Sequence, residues 1–216
     1  MASGFIFAFK LYSENQESQC GVDWVEHMVK RLTASDIIHV EMIPVIGGHY
    51  TAWCEEDGRI LMGEGSALVT SPIAHTAIVG SGYKTHSSKE CLDDSSFHHI
   101  FVPMSEENLR QGISFLEMQE GKWYNYLALP FTVIPHNFKM RGIEELEGCV
   151  STSKVFCGQM GLVLCYLSNI IDPSPVFLDP LYCTPSELYQ LIMASDCNAM
   201  HCKPAQMIVM ITDEGV

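Results

Sequence analysis

The chain has 216 residues, of which 47% are hydrophobic and 18% charged, enough apolar material for a core and too little charge for a disordered chain. Lys and Arg number 12 against 26 Asp and Glu, a net charge of −14, so the attraction that drives nucleic-acid or anionic-membrane binding has the wrong sign and no nucleic-acid partner is expected. No apolar run approaches the ~18–20 residues of a membrane span, residues 1–10 lack a signal peptide's basic flank and cleavage site, and the nine cysteines lack the even spacing of a disulfide scaffold, which implies reduced thiols in a cytoplasmic, reducing compartment.

Phe5, Phe7, Phe9 and Leu11 alternate with Ile6, Ala8, Lys10 and Tyr12, the period of a strand. After a polar loop over 13–21, Trp24, Val25, Met28, Val29 and Leu32 recur at three- and four-residue spacing, which predicts an amphipathic helix over 22–33. Residues 36–46 are β-rich and end at Gly47-Gly48, with 49–54 resuming as a strand, so the pair reads as a hairpin. A turn at 56–58 leads into 59–63, and short strands are expected at 76–79 and 98–102, separated by a polar loop over 81–96.

The second half is more helical. Ser105 is placed to cap a helix with Glu106 and Glu107 in its first turn and Leu109, Ile113 and Leu116 on its apolar face, ending before Gly121. A Pro-interrupted segment over 124–135 and a polar stretch lead to Phe156-Cys157-Gly158, beyond which Met160, Val163, Leu164, Leu167 and Ile171 describe a helix buried on most sides. Thr184-Pro185-Ser186-Glu187 is a capping box opening a helix over 185–194, and 205–212 reads as a closing strand. With no internal repeat or linker, the order of elements predicts one α+β domain over 1–216, its helices packed against an antiparallel sheet.

Cys157 stands just before an apolar helix, where free N–H groups and the helix dipole stabilise a thiolate. Gly158 is expected to leave its sulfur accessible. Cys165, eight positions on in the middle of the same helix, lacks that setting and reads as a buried core thiol. A cysteine nucleophile needs a base. His39, flanked by β-branched residues in Ile37-Ile38-His39-Val40-Glu41-Met42-Ile43, would be held rigidly, sharing a strand face with Glu41. For a lone strand histidine a satisfied core or edge position is the competing reading. Clusters at Cys197, His201, Cys202 and at His86, Cys91, His98, His99 lack the paired spacing of a zinc site, and no metal is expected. Gly63-Glu64-Gly65 and Gly80-Ser81-Gly82 lack a nucleotide-binding context.

The helix start Val155-Phe156-Cys157-Gly158-Gln159-Met160, preceded by Gly121-Lys122-Trp123-Tyr124-Asn125 and by the strand Ile38-His39-Val40-Glu41-Met42, resembles the circularly permuted branch of the NlpC/P60 (papain-like) cysteine hydrolases. That branch includes bacterial YiiX-like proteins, poxvirus relatives and the lecithin:retinol acyltransferase group. In it the histidine strand precedes the nucleophile, as here, and Thr184-Pro185-Ser186-Glu187-Leu188 is similar to a Thr-Pro-x-Asp-Leu stretch that follows the nucleophile helix. The likeness covers roughly 34–192. It implies a permuted papain-like core, Cys157 as nucleophile, His39 as base, Tyr124 as the tyrosine backing the cysteine, and a peptide, isopeptide or lipid acyl substrate handled without a cofactor. The family's orienting third group lies about a dozen positions beyond the histidine, which is Thr51 here. A hairpin closing at Gly47-Gly48 would instead bring Cys54, Glu55 or Glu56 opposite His39. Glu55 is preferred, because a carboxylate holds an imidazole N–H better than a hydroxyl does. Glu41 is a further candidate, its bland alternative being a solvated edge charge. A catalytically inactive, partner-binding module of the same fold is the rival functional expectation.

Overall fold

The alternating phenylalanines form the strand they predict, and both of its faces are covered. In a computed structural model, which describes residues 1–12, 27, 30, 31, 34–55, 58–126, 140–142, 153–172 and 176–210, strand β1 (Ser3–Leu11) is buried from Ser3 through Phe9. Phe5, Phe7 and Phe9 join one core with Val40, Met42, Ile100 and Val102, while Ile6 and Ala8 join a second with Ile43, Val45, Leu68 and Phe101. At ~1.5–3 kcal/mol for each large side chain removed from water, this one strand contributes to the cores on both sides of the sheet.

In chain order there follow β2 (Ile37–His49), β3 (Ala52–Cys54), β4 (Ile60–Met62), β5 (Ala67–Thr70), β6 (Ile73–Ile78), β7 (Gly82–Ser87), α1 (Ser88–Asp93) and β8 (Phe97–Met104). Next come α2 (Glu106–Glu117), β9 (Trp123–Tyr124), β10 (Met140–Gly142), β11 (Lys154–Val155) and α3 (Cys157–Leu167). The described chain closes with β12 (Val176–Leu178), α4 (Pro185–Ala194), β13 (Met200–Cys202) and β14 (Met207–Val209). The main sheet runs β14-β5-β2-β1-β8-β13-β4-β3, with β6 against β2 and β7 against β6. Its pairings are antiparallel except β14 with β5 and β13 with β4. The protein is therefore a mixed α+β structure with a mostly antiparallel sheet. The expected helix over 22–33 and the Pro-interrupted segment over 124–135 lie largely outside the described residues.

Two sequence expectations are corrected. Gly47-Gly48 does not turn the chain: β2 continues through it, with a register shift between Val45 and Gly47, and pairs with β5, Gly48 opposite Leu68. Gly48 is glycine because the neighbouring strand comes very close: at φ +155°, a Cβ there would run into the Ala67 carbonyl. The expected hairpin of 36–46 with 49–54 is therefore absent, and β3 pairs with β4 instead. The polar stretch 81–96 is not a loop either. It holds β7, whose solvent-facing Lys84 and Thr85 carry the polarity, and α1, whose Cys91 and Leu92 enter the second core.

The helices follow their local signals. Ser105 Oγ accepts from the Asn108 N–H at 3.2 Å to cap α2, and the capping box at Thr184 and Glu187 opens α4. Every residue of α3 from Cys157 to Tyr166 is buried, because α3 lies between the sheet and other helices; Gly161 lets Leu188 of α4 reach it. Among the described residues no helix is long and apolar enough to cross a membrane.

Candidate active site

Two elements of opposite halves of the chain bring the site together. Cys157 is the first residue of α3, after an extended Phe156. His39 sits near the start of β2, beside a register shift: Lys10 faces His39 while Leu11 faces Ile37, leaving Ile38 as an extra residue. A bulge of this kind re-aims the side chains next to it. The imidazole lies beside the thiol of Cys157, close enough for each to shift the other's charge state.

The other side of the ring is held by a hydroxyl. Thr76 Oγ1 lies 2.9 Å from His39 Nε2 and donates its own proton to the Val40 carbonyl at 3.2 Å. One hydroxyl has one proton to give, so toward His39 it accepts, Nε2 carries a hydrogen, and Nδ1 is left for the sulfur. β6 reaches this position by pairing with β2 at Met42 opposite His75, one residue from Thr76.

The protonation states follow from the surroundings. Burial works against charge on both partners, but each stabilises the other's charged form. The His39 ring, pulled down by desolvation, is lifted by the Cys157 sulfur and by Glu41 to about 10. The Cys157 thiol, pushed up by burial, is brought below the ordinary thiol range by His39 and by backbone N–H groups of Val40 and Gly158. The pair is thus arranged as thiolate and imidazolium. Burial drives other thiols the opposite way: Cys202 is pushed up to about 12, and Cys91 and Cys165 also rise. Cys157 and Cys165, both in α3, are separated chemically by the helix N-terminus and the imidazole.

Tyr124 stands behind the cysteine. β9 runs parallel to β11 with Tyr124 opposite Val155, and the Asn125 N–H donates to the Val155 carbonyl at 2.9 Å. The Tyr124 phenol is buried and lies close enough to the sulfur that burial and the Cys157 charge hold its hydroxyl well above the usual range. It is a neutral wall rather than an acid. Gly158 does not open access to the sulfur as its size suggested. Its missing Cβ is replaced by the chain at Cys183-Thr184, which packs directly on the first turn of α3.

Glu55 and Thr51 are not brought to His39. Thr51 lies past the end of β2, which continues ten residues beyond His39 to His49, ~33 Å of strand contour at ~3.3 Å per residue. Glu55 is exposed at the end of β3, where its N–H donates to the Arg59 carbonyl at 2.9 Å. Four strands separate β3 from β2 in the sheet order. The place expected for a third group is filled instead by Thr76, which the sequence did not single out. Its only local signal is a polar β-branched residue in a short apolar strand, and nothing local shows that this strand pairs with β2. Glu41 is no solvated edge charge: it is 6% exposed, with Oε1 3.6 Å from His39 Nε2 and Oε2 3.0 Å from His86 Nε2. Among the described residues no group of three or more His, Cys, Asp or Glu is arranged to hold a metal ion.

No protein-family model, curated protein or solved structure matches the chain.

Proposed function

We propose that the chain is a cofactor-independent thiol hydrolase or acyltransferase acting on an amide or ester carbonyl, with the permuted papain-like arrangement of the NlpC/P60 hydrolases. The observation that carries this reading is the Cys157–His39 contact at a helix N-terminus, with Thr76 fixing the far ring nitrogen. Three features of different origin converge there: a thiol brought down, an imidazole lifted, and a tautomer set by a third group.

In the proposed reaction the Cys157 thiolate attacks the carbonyl carbon, and the negative charge moving to the carbonyl oxygen is met by the Cys157 N–H at the start of α3. As the tetrahedral species collapses, the C–N or C–O bond breaks and the His39 imidazolium gives its proton to the leaving amine or alcohol. A thioester remains on Cys157. Neutral His39 then takes a proton from water or from an acceptor hydroxyl or amine, whose attack releases the acyl group and regenerates the thiolate. Peptide, isopeptide and lipid acyl groups share this chemistry.

The inactive, partner-binding reading is favoured by one observation, that Cys157 is only 4% exposed. An electrophilic acyl probe separates the two. Labelling of Cys157 that is lost in Cys157→Ala and strongly slowed in His39→Ala supports the hydrolase; a thiol that never labels in the folded protein refutes it.

A further inference from the structure

Beneath the dyad lies a chain of ionisable groups that the reaction above does not use. Glu41 Oε1 is 3.6 Å from His39 Nε2, Glu41 Oε2 is 3.0 Å from His86 Nε2, and His86 Nδ1 is 3.4 Å from Glu90 Oε2. Glu41 is 6% exposed, whereas the Glu90 side chain is 71% exposed. A carboxylate so far from water is costly without a counter-charge, and here two imidazoles supply it.

We propose that Glu41 and His86 are a positioning pair for the dyad: Glu41 is a fixed anion that keeps the His39 ring cationic and in place, and His86, ion-paired with the second carboxylate oxygen, moderates its charge. The inference rests on the hydrolase reading for its purpose, but its electrostatics can be measured without any substrate.

The surroundings single out these two groups. Glu41 is faced by His39 from its own strand, by His86 from β7, by Cys91 from α1 and by His99 from β8, while Glu90 on α1 and His75 on β6 act on it through His86. On β1 the residue opposite is Ala8, which carries no charge. Burial keeps the Cys91 thiol protonated and favours the neutral forms of His75 and His99. His39 and His86 are the groups lifted by Glu41, and each disfavours charge on the other.

The same chain invites a different reading, a proton wire from the dyad to solvent at Glu90. Glu41 argues against it. Burial opposes its charge, yet its ion pairs with His39 and His86 hold the carboxyl well below the usual range, and a group that does not accept a proton near neutral pH cannot pass one on. Thr76 already takes the Nε2 hydrogen at 2.9 Å, so at 3.6 Å Glu41 acts through its charge.

The two members of the pair therefore push His39 in opposite directions, which a merely structural role would not do. The test is an NMR titration of the histidine rings in the full chain. Glu41→Gln is expected to lower the His39 pKa by about one unit or more, a roughly tenfold loss of proton affinity. Glu41→Asp restores part of it. His86→Gln, which removes a repelling cation and leaves the whole carboxylate charge to His39, is expected to raise it. A His39 titration unmoved within ~0.3 unit in Glu41→Gln, or a shift of the same sign in Glu41→Gln and His86→Gln, overturns the proposal. If Glu41→Gln does not fold, His86→Gln alone decides: a rise supports the pair and a fall refutes it. Opposite shifts with no acyl-probe labelling of Cys157 would uphold the pair and sink the hydrolase reading, and labelling with unshifted titrations would do the reverse.

Discussion

Thr76 accepts, rather than donates, in its 2.9 Å hydrogen bond with His39, because its proton is committed to the Val40 carbonyl. The hydroxyl sets which ring nitrogen faces Cys157, the task a carboxylate or amide performs in other thiol and serine sites. Thr76→Val keeps the β-branched shape and removes both bonds. It is expected to slow acyl-probe labelling of Cys157 by something on the order of 10-fold to 100-fold, while Thr76→Ser recovers most of the rate. Equal rates in the wild type and Thr76→Val, with unchanged thermal melts, would remove Thr76 from the site.

The thiol contrast makes a second prediction. At pH 6 a thiol with the ordinary pKa of ~8.5 is less than ~1% ionised, whereas His39 and the backbone N–H of Gly158 at the α3 N-terminus favour the thiolate form of Cys157. Iodoacetamide at pH 6 should modify Cys157 ahead of Cys54, although Cys54 is exposed and Cys157 buried. The preference should shrink as the pH rises toward 9. Mass-spectrometric mapping at both pH values checks it. First labelling of Cys54 at pH 6 would place the thiolate elsewhere.

How much of this was legible beforehand depended on range. Capping and periodicity act within a few residues, so α4 begins and ends where Thr184-Pro185-Ser186-Glu187 and the apolar spacing put it, and Cys157 falls at the start of the buried helix. Strand pairing is not local. Gly47-Gly48 is compatible with a tight turn and with a close backbone approach, and only the presence of β5 against β2 decides between them. A turn at Gly47-Gly48 would put Glu55 opposite His39, whereas the hydroxyl that meets the ring, Thr76, depends on β6 returning to β2 across 37 positions of sequence. Glu41 was visible as a residue, but its burial was not, since the groups that cover it come from β7 and α1, in a stretch whose polarity reads as loop.

Stability should fall in mild acid because of His75. The ring is 7% exposed, 2.8 Å through Nδ1 from the Tyr83 hydroxyl, and burial together with charge on His86 pulls it down to about 4. Between its ordinary pKa of ~6.5 and about 4, the unfolded chain binds a proton that the folded chain refuses, so stability drops as the pH falls through that window. The largest slope this one group can give is ~1.4 kcal/mol per pH unit. Glu41, whose carboxyl is held low by its imidazole partners, adds its own loss only below ~4.5, where an unfolded carboxylate begins to protonate. Urea denaturation at pH 7, 6 and 5 should therefore show a slope that is flattened in His75→Gln. An identical slope in that variant would mean that His75 is not the group responsible.

The α3 N-terminus is positioned by what lies against it, and Gly158 is the point of contact. A Cβ there would run into the Cys183 carbonyl oxygen and come within 3.1 Å of the Thr184 carbonyl carbon. Both are backbone atoms just ahead of α4, so no side chain can rotate away to make room. Gly158→Ala is expected to cost ~1–3 kcal/mol as an overpacking change, which for a chain of this size lowers Tm by roughly 2–4 °C per kcal/mol. Because the displaced element is the first turn of α3, the Gly158 N–H that favours charge on the Cys157 sulfur moves with it, and labelling of Cys157 at pH 6 should slow even at temperatures where the variant is fully folded. Gly65→Ala is the control. Gly65 has φ +79° with open space around its Cβ position, so alanine there adds ~1–2 kcal/mol of left-handed strain far from the dyad and should lower Tm without changing Cys157 reactivity. Parallel losses of reactivity in both variants would attribute the effect to general loosening, whereas loss in Gly158→Ala alone ties the thiolate to the seat that Cys183 and Thr184 provide for the helix.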